Sequence, residues 1–274
     1  MPIFQKIKIW CYIFIWFIFS CLTSYALFQV DLPLLLSVLV GFTPYTLIGI
    51  WIVYLFYPKF DPSCCIKCYD SKKLIALTFD DGPTMGFTED ILGILKDNSV
   101  KATFFMIGEK IEKNRSIALR VLKDGHDIGA HTYTHKKLHL SGSGQIAKEI
   151  NSTVLMIKEL YKEAGIETSY RPIFRSPHGF KNIRLNIYLK KHGLYLIPWT
   201  RGVWDTSSPG SEWIIEKAIK KPRNNEIILL HDGKGVNQSV SDSQRTGLLQ
   251  ALPKVIDFYK NKGYTFIKVF DFIR

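Results

Sequence analysis

The chain has 274 residues, of which 47% are hydrophobic, and a formal net charge of +12. That length holds one large domain or two small ones, and the apolar content excludes an intrinsically disordered chain. The charge points to an anionic partner (a phosphate, an acidic glycan or a membrane surface) or else to a lysine-rich solvated face.

From Ile9 to Pro58 the only formal charge is Asp31. It divides the stretch into uncharged runs of about 22 and 27 residues, each long enough to cross a hydrocarbon core of about 30 Å. Two transmembrane helices are therefore expected, at about 9–30 and 32–57, within an N-terminal hairpin of residues 1–58. Lys6 and Lys8 precede the first run, and Lys59, Lys67, Lys72 and Lys73 follow the second, while the connecting loop has no lysine. This distribution predicts a multi-pass membrane protein with the rest of the chain on the cytoplasmic face. Translocation of a large domain regardless of flanking charge keeps the extracytoplasmic side open. Residues 59–72 read as a juxtamembrane linker. It carries Cys64, Cys65 and Cys68 but lacks the second Cys/His cluster of the usual zinc site.

Residues 73–274 alternate between two periodicities. "KLIALTF", "KATFFMI", "HDIGAH", "PIFRS", "LYLIPWT", "EIILLH" and "YTFIKV" read as strands. Helical stretches lie between them, including "TEDILGILKDN" with Thr88 as its N-cap and "GQIAKEINSTVLMIKELYKEAG" ending at Gly165. Seven strands interleaved with helices give a parallel α/β fold, whose strands read as apolar runs because both faces are covered. Periodicity does not separate an open sheet from a closed barrel. No Gly-rich phosphate loop follows the first strand, and no nucleic-acid partner is expected.

Ligands of parallel α/β folds bind at the carboxyl ends of strands. Asp80 and Asp81 end the first strand run, and His131 and His135 follow the third. Arg175 ends the fourth, Asp205 follows the fifth, and His231 and Asp232 end the sixth. In "HTYTH" the two histidines are four apart and share a face if the turn is helical. With one carboxylate they make a three-ligand set for a divalent metal that leaves positions open for water. The paired aspartates divide two jobs, one binding the metal and the other taking a proton from water. Gly82-Pro83 then turns the chain sharply.

"TFDDGP", "HTYTH", "RSPHG", "WTRGVWDT" and "LLHD" follow one another as in the polysaccharide deacetylase family, also called the NodB-homology or carbohydrate esterase 4 family. The chain resembles that family from about Leu74 to its end. The resemblance implies a distorted (β/α)7 barrel, here preceded by the transmembrane hairpin, and metal-dependent hydrolysis of N-acetyl groups on sugars. It implies Asp80 as general base, and Asp81, His131 and His135 as ligands of one divalent ion. Zinc is the default, with Co2+, Mn2+, Ni2+ or Fe2+ as substitutes. It further implies Arg175 as the residue orienting the base, His231 as general acid and Asp205 as the carboxylate tuning that acid. The backbone N–H of His178 takes the place of an oxyanion donor. His178 stands where a tyrosine is common. Gly202 and Thr206 replace the first and last residues of an Asp-x-x-Asp-Trp motif, and Trp204 lies inside it on the substrate wall.

The expected substrate is an N-acetylated amino sugar in a cell-envelope glycan or a lipid-linked saccharide, with membrane lipid as a second partner. The lipid-linked form joins the hairpin, the cytoplasmic face and the positive charge in one scheme. Two alternatives stand beside it: a deformylase or other amidohydrolase of the same fold, and a catalytically dead membrane-anchored glycan-binding protein. The dead copy is disfavoured because no ligand, base or acid is missing from the motifs.

Overall fold

The computed structural model describes residues 18, 19, 21–26, 29, 36, 73–207 and 210–272. The chain separates into two compact units, residues 1–62 and 63–274. In the first, residues 21–26 are helical and Thr23 Oγ1 donates to the carbonyl of Phe19.

The expectation of two membrane spans is corrected. No helix among the described residues is long and apolar enough to cross a membrane. The two longest helices of the second unit, Ser143–Glu163 and Asp242–Asn261, are amphipathic. The first buries Ile146, Ile150, Ile157 and Leu160 along one stripe, while Lys148, Lys158 and Glu159 occupy the remaining faces. The multi-pass localisation and its cytoplasmic assignment fall with the spans. The runs at about 9–30 and 32–57 lie mostly outside the described residues, as does the whole 59–72 linker with its cysteines.

The second unit is built on eight parallel strands. They are β1 (Leu74–Asp80), β2 (Thr103–Met106), β3 (Asp127–Ala130), β4 (Ile173–Phe174), β5 (Tyr195–Leu196), β6 (Arg201–Gly202), β7 (Glu226–His231) and β8 (Thr265–Phe266). Their order is β5-β4-β3-β2-β1-β7-β6, with β8 paired to the start of β1. No pairing between β5 and β6 is found among the described residues, so the sheet is an open half-barrel of the (β/α)7 type rather than a closed ring. Seven strands were legible in sequence. The eighth, β6, is the two-residue Arg201–Gly202, too short for any pattern of alternation.

The α-helices of this unit are α1 (Phe87–Asp97), α2 (Gly108–Lys113), α3 (Arg115–Lys123), α4 (Ser143–Glu163), α5 (Ile183–Lys191), α6 (Ser211–Ile219) and α7 (Asp242–Asn261). Successive side chains on a strand point to opposite faces, and that parity organises the interior. On β1, Ile75, Leu77 and Phe79 join the large core beneath the helices, whereas Ala76 packs in a smaller core with Phe105, Ile173, Ile197, Ile227, Val269 and Phe272. The smaller core fills the concave side of the half-barrel. Thr78 and Asp80 share the face of Ala76. By the same count Arg175 follows inward Ile173, and Leu229 and His231 follow inward Ile227.

Candidate active site

Asp80 lies at the end of β1, in register with His231 on β7. Its Oδ1 is 2.7 Å from Arg175 Nη1, and both residues are buried. The arginine is fully enclosed. It donates to Thr78 Oγ1 and to the carbonyls of Ile197 and Pro198, and its guanidinium lies 4.1 Å from the centre of the Phe105 ring. Burial depresses its pKa, and the adjacent Asp80 opposes that shift. So many fixed contacts leave the Asp80 carboxylate one orientation, with Oδ2 facing the cavity 3.8 Å from His131 Nε2.

By strand parity Asp81 belongs on the helix-covered face. A left-handed backbone, φ 73°, turns its side chain back to the concave side. The turn is held at several points. Lys110 donates to the Asp81 carbonyl at 2.8 Å, Ile107 N–H to the Gly82 carbonyl, and Asp232 N–H to the Asp80 carbonyl. Asp81 Oδ1 then lies 3.3 Å from His131 Nε2 and 3.0 Å from His135 Nε2. Although burial works to raise the Asp81 pKa, the two imidazoles overcome it and hold the carboxyl well below its usual range.

The histidine pair is not on a helix, so the condition under which the spacing would place both on one face is not the one that brings them together. Residues 131–137 form a loop in which Thr132 (φ 62°) and His135 (φ 60°) are left-handed. Glu149, a buried acid on the apolar stripe of α4, braces it by accepting from Tyr133 N–H, Thr134 N–H and the Thr134 hydroxyl. The loop bends the chain so that two histidines a helical turn apart in sequence meet without a helix.

These three side chains suit a cation on the chemistry of their donors. His131 Nδ1 donates to the Arg175 carbonyl at 2.9 Å, which leaves the Nε2 lone pair directed at the cavity. That lone pair faces the lone pairs of Asp81 Oδ1, a buried oxygen with no hydrogen-bond partner. Two acceptors in close approach repel unless a positive centre lies between them, either the proton of an imidazolium, which is what depresses Asp81, or a bound cation in its place. Asp81, His131 and His135 each offer one ligand atom, all within 4.8 Å of one another.

Across the cavity, Asp205 accepts from the His231 backbone N–H and lies against its Nδ1, both at 2.8 Å. Asp205 is fully buried. Burial alone would depress His231, but the carboxylate beside it outweighs that cost and raises the imidazole to about 9. His231, with Asp205 buried behind it, shares a cavity of about 770 Å³ with Asp80, Asp81, His131 and His135. Leu229 and Trp199 form part of its wall, and Trp204 stands at its edge 66% exposed. His178 lies at the same cavity in a left-handed turn (φ 56°), and its backbone N–H is absent from the turn bonds around it. Of the candidate site residues, Asp80, Asp81, His131, His135, His178, Trp204 and His231 line this cavity, and Arg175 and Asp205 each contact one of them.

A family model described as polysaccharide deacetylase matches residues 68–197. A peptidoglycan-N-acetylglucosamine deacetylase of Bacillus cereus is 32% identical over 207 residues, which cover 75% of this chain and 90% of the relative. The chain belongs to the polysaccharide deacetylase family. A chitooligosaccharide deacetylase of Sinorhizobium fredii is 31% identical, covering 69% of this chain and 87% of that one. Among solved structures, the Bc1960 peptidoglycan N-acetylglucosamine deacetylase superposes with a TM-score of 0.67 at 28% identity, over 75% of this chain and 90% of its own. Polysaccharide deacetylases are hydrolases of carbon–nitrogen bonds, and membership carries that chemistry to this chain.

Several residues that shape this deacetylase site were not legible as such. Asp232 is noticeable in sequence only as the neighbour of His231. It is fully buried, accepts from the Thr88 hydroxyl at 2.7 Å, and packs so tightly on Gly82 that a methyl there would lie 2.0 Å from its Oδ2. Thr88 is accordingly not the helix cap; α1 is capped at Gly86, and the Thr88 hydroxyl is spent on Thr84 N–H and Asp232. Lys110 carries no pattern that would find it. Glu149 did carry one, a carboxylate within the stripe of Ile146, Ile150 and Thr153.

Proposed function

We propose that this deacetylase removes N-acetyl groups from amino sugars of a glycan by metal-dependent hydrolysis. The observation that carries the reading is the Asp81–His131–His135 cluster with an arginine-braced carboxylate, Asp80, on one side of a single cavity and the Asp205–His231 pair on the other. Asp81, His131 and His135 would hold a divalent cation, zinc by the donor set, and when bound it would activate water and polarise the acyl oxygen. Asp80 takes a proton from the attacking water, and Arg175 keeps that carboxylate oriented. The His178 N–H donates to the oxygen on which negative charge develops. His231, protonated through its pairing with Asp205, gives its proton to the departing nitrogen. The C–N bond breaks, leaving acetate and a free amino sugar. Leu229 and Trp199 suit the acetyl methyl, and the exposed Trp204 offers an apolar face for a sugar ring.

The names of the relatives, peptidoglycan and chitooligosaccharide deacetylases, support a β-linked N-acetylglucosamine polymer as substrate. The lipid-linked form rested on the membrane hairpin and loses its support with it. The test is release of acetate from chitotetraose and from peptidoglycan strands, measured with formate release from N-formyl analogues. Acetate release that requires added metal and disappears in Asp80→Asn supports the reading. Formate release with no acetate release overturns it in favour of a deformylase.

A further inference from the structure

The cavity has a feature that the hydrolysis does not use. Lys137 and Lys234 both line it. They reach it from different segments, the loop after β3, two residues past His135, and the loop after β7. The loop carrying Lys234 lies against that imidazole, since a methyl at Gly235 would come 2.9 Å from His135 Nδ1. Neither ammonium has a hydrogen-bond or ion-pair partner among the described residues. The carboxylates on the cavity wall are Asp80 and Asp81. The first is committed to Arg175 and the second to the two histidines.

The balance of charge follows from these assignments. Asp80, Asp81 and Asp205 contribute three negative charges, against two positive charges from Arg175 and protonated His231. The two lysines reverse the sign of the cavity, and a bound cation makes it more positive still. Lys137 is exposed and Lys234 half-buried, so both ammonium groups are hydrated, and a neutral oligosaccharide offers them only uncharged acceptors such as hydroxyls in place of water. A carboxylate or phosphate oxygen replaces that water with a charge-assisted hydrogen bond. The same field would concentrate anionic saccharides at the mouth, an effect that low-dielectric walls enlarge.

We propose that Lys137 and Lys234 form an anion subsite at the mouth of the catalytic cavity, selecting N-acetylated saccharides that carry a carboxylate or phosphate beside the sugar being deacetylated. The inference rests on the deacetylase reading, and it narrows the substrate from neutral chitin-like chains to acidic ones. Trp204 at the same edge supplies the apolar face for the ring, and the lysines supply recognition of its charged substituent.

The experiment compares three substrates of equal length with the metal-supplemented enzyme: neutral chitotetraose, the same oligosaccharide bearing a carboxylate, and the same bearing a phosphate monoester. The expected result is a kcat/KM on one or both acidic substrates about three- to tenfold above the neutral one, carried mainly by KM, as two part-exposed ion pairs would give. The advantage should shrink as salt rises towards about 0.5 M. In Lys137→Gln/Lys234→Gln the ratio should fall towards one, and in Lys137→Arg/Lys234→Arg it should persist. The larger of the two acidic ratios identifies the anion. Equal kcat/KM on all three wild-type substrates, or an undiminished ratio in the glutamine double variant, overturns the subsite while leaving the deacetylase reading intact. Failure to release acetate from any of the three counts against the underlying reading instead.

Discussion

Two neighbouring strands end in the same kind of pair and use it differently. β1 closes on Asp80-Asp81 and β7 on His231-Asp232, with Asp80 and His231 in register. In each pair the first residue faces the cavity by strand parity and the second is due to face the helices. Asp232 does so, buried under Thr88 at the start of α1. Asp81 does not, because its left-handed backbone swings it back beside Asp80. One end therefore presents two carboxylates to the cavity, and the other presents an imidazole with a carboxylate wedged behind it. Parity turns Asp80 and His231 to the cavity, and a single positive φ brings Asp81 in as a third group. Asp232 then serves as the wall against which that turn is pressed.

Removing the part that the turn creates should have the largest effect. His135→Ala, or Asp81→Ala, is expected to lose both bound metal and acetate release while the half-barrel still unfolds cooperatively. Metal content by mass spectrometry and thermal unfolding check the two halves of that statement. A His135→Ala enzyme that keeps full activity after dialysis against a chelator would remove these residues from the metal site.

Changes at the two inward-facing residues should come next. Asp80→Asn and His231→Ala are each expected to retain metal and to lower kcat by about 10² to 10⁴, the usual worth of a positioned acid or base. KM should change far less. Near-normal turnover in Asp80→Asn would show that Asp80 is not the base.

A smaller effect isolates Asp205. Its carboxylate raises His231 to about 9, so the imidazole keeps its proton through neutral pH and loses it as pH rises past that value. The alkaline limb of kcat should accordingly fall near pH 9. In Asp205→Asn the charge is gone and the limb should move to lower pH, cutting turnover at pH 8 by about tenfold, while the loss at pH 6 is smaller. An unmoved limb would mean that His231 is not the group donating to the leaving nitrogen.

How much of this was written in the sequence depends on the range of the interaction. Strand parity is local, so the inward direction of Asp80, Arg175 and His231 follows from the apolar runs that precede them. The spacing of His131 and His135 marked them as a candidate ligand pair, and the structure brings them together, but the spacing left their backbone open. A helix and a loop with two left-handed residues both bring i and i+4 together, and nothing local distinguishes them here. Lys110 and Asp232 act on Asp81 from 29 and 151 positions away, as their numbers show, and no short pattern encodes such contacts. The membrane hairpin was inferred from the rarity of charge between Ile9 and Pro58. Low charge density shows what a helix would tolerate, not that a helix of sufficient length forms, and none of the described helices meets that requirement.

Substitution at the outer member of the β7 pair should have the smallest effect on turnover and a clear one on stability. Burial raises the Asp232 carboxyl to about 7, although the Thr88 hydroxyl and the nearby Lys110 oppose the shift. An ordinary unfolded carboxyl titrates near 4. Between those values the folded protein holds a proton that the unfolded chain has lost, so stability is highest below about pH 4 as far as this group is concerned. It is lost progressively as pH rises to about 7. An asparagine side chain has the same shape, and its carbonyl could still accept from Thr88 without ever carrying charge. Asp232→Asn is therefore expected to gain about 1 to 3 kcal/mol over the wild type on going from pH 4 to pH 8. Asp81 works in the opposite direction, its depressed carboxyl stabilising the fold as pH rises, but it is common to both proteins and cancels in the difference. Thermal unfolding of wild type and variant across that range gives the measurement. Parallel curves would show that Asp232 enters the folded state charged, with its cost already met by Lys110 and Thr88. The turn at Asp81 would then be held by an ion rather than by a neutral wedge.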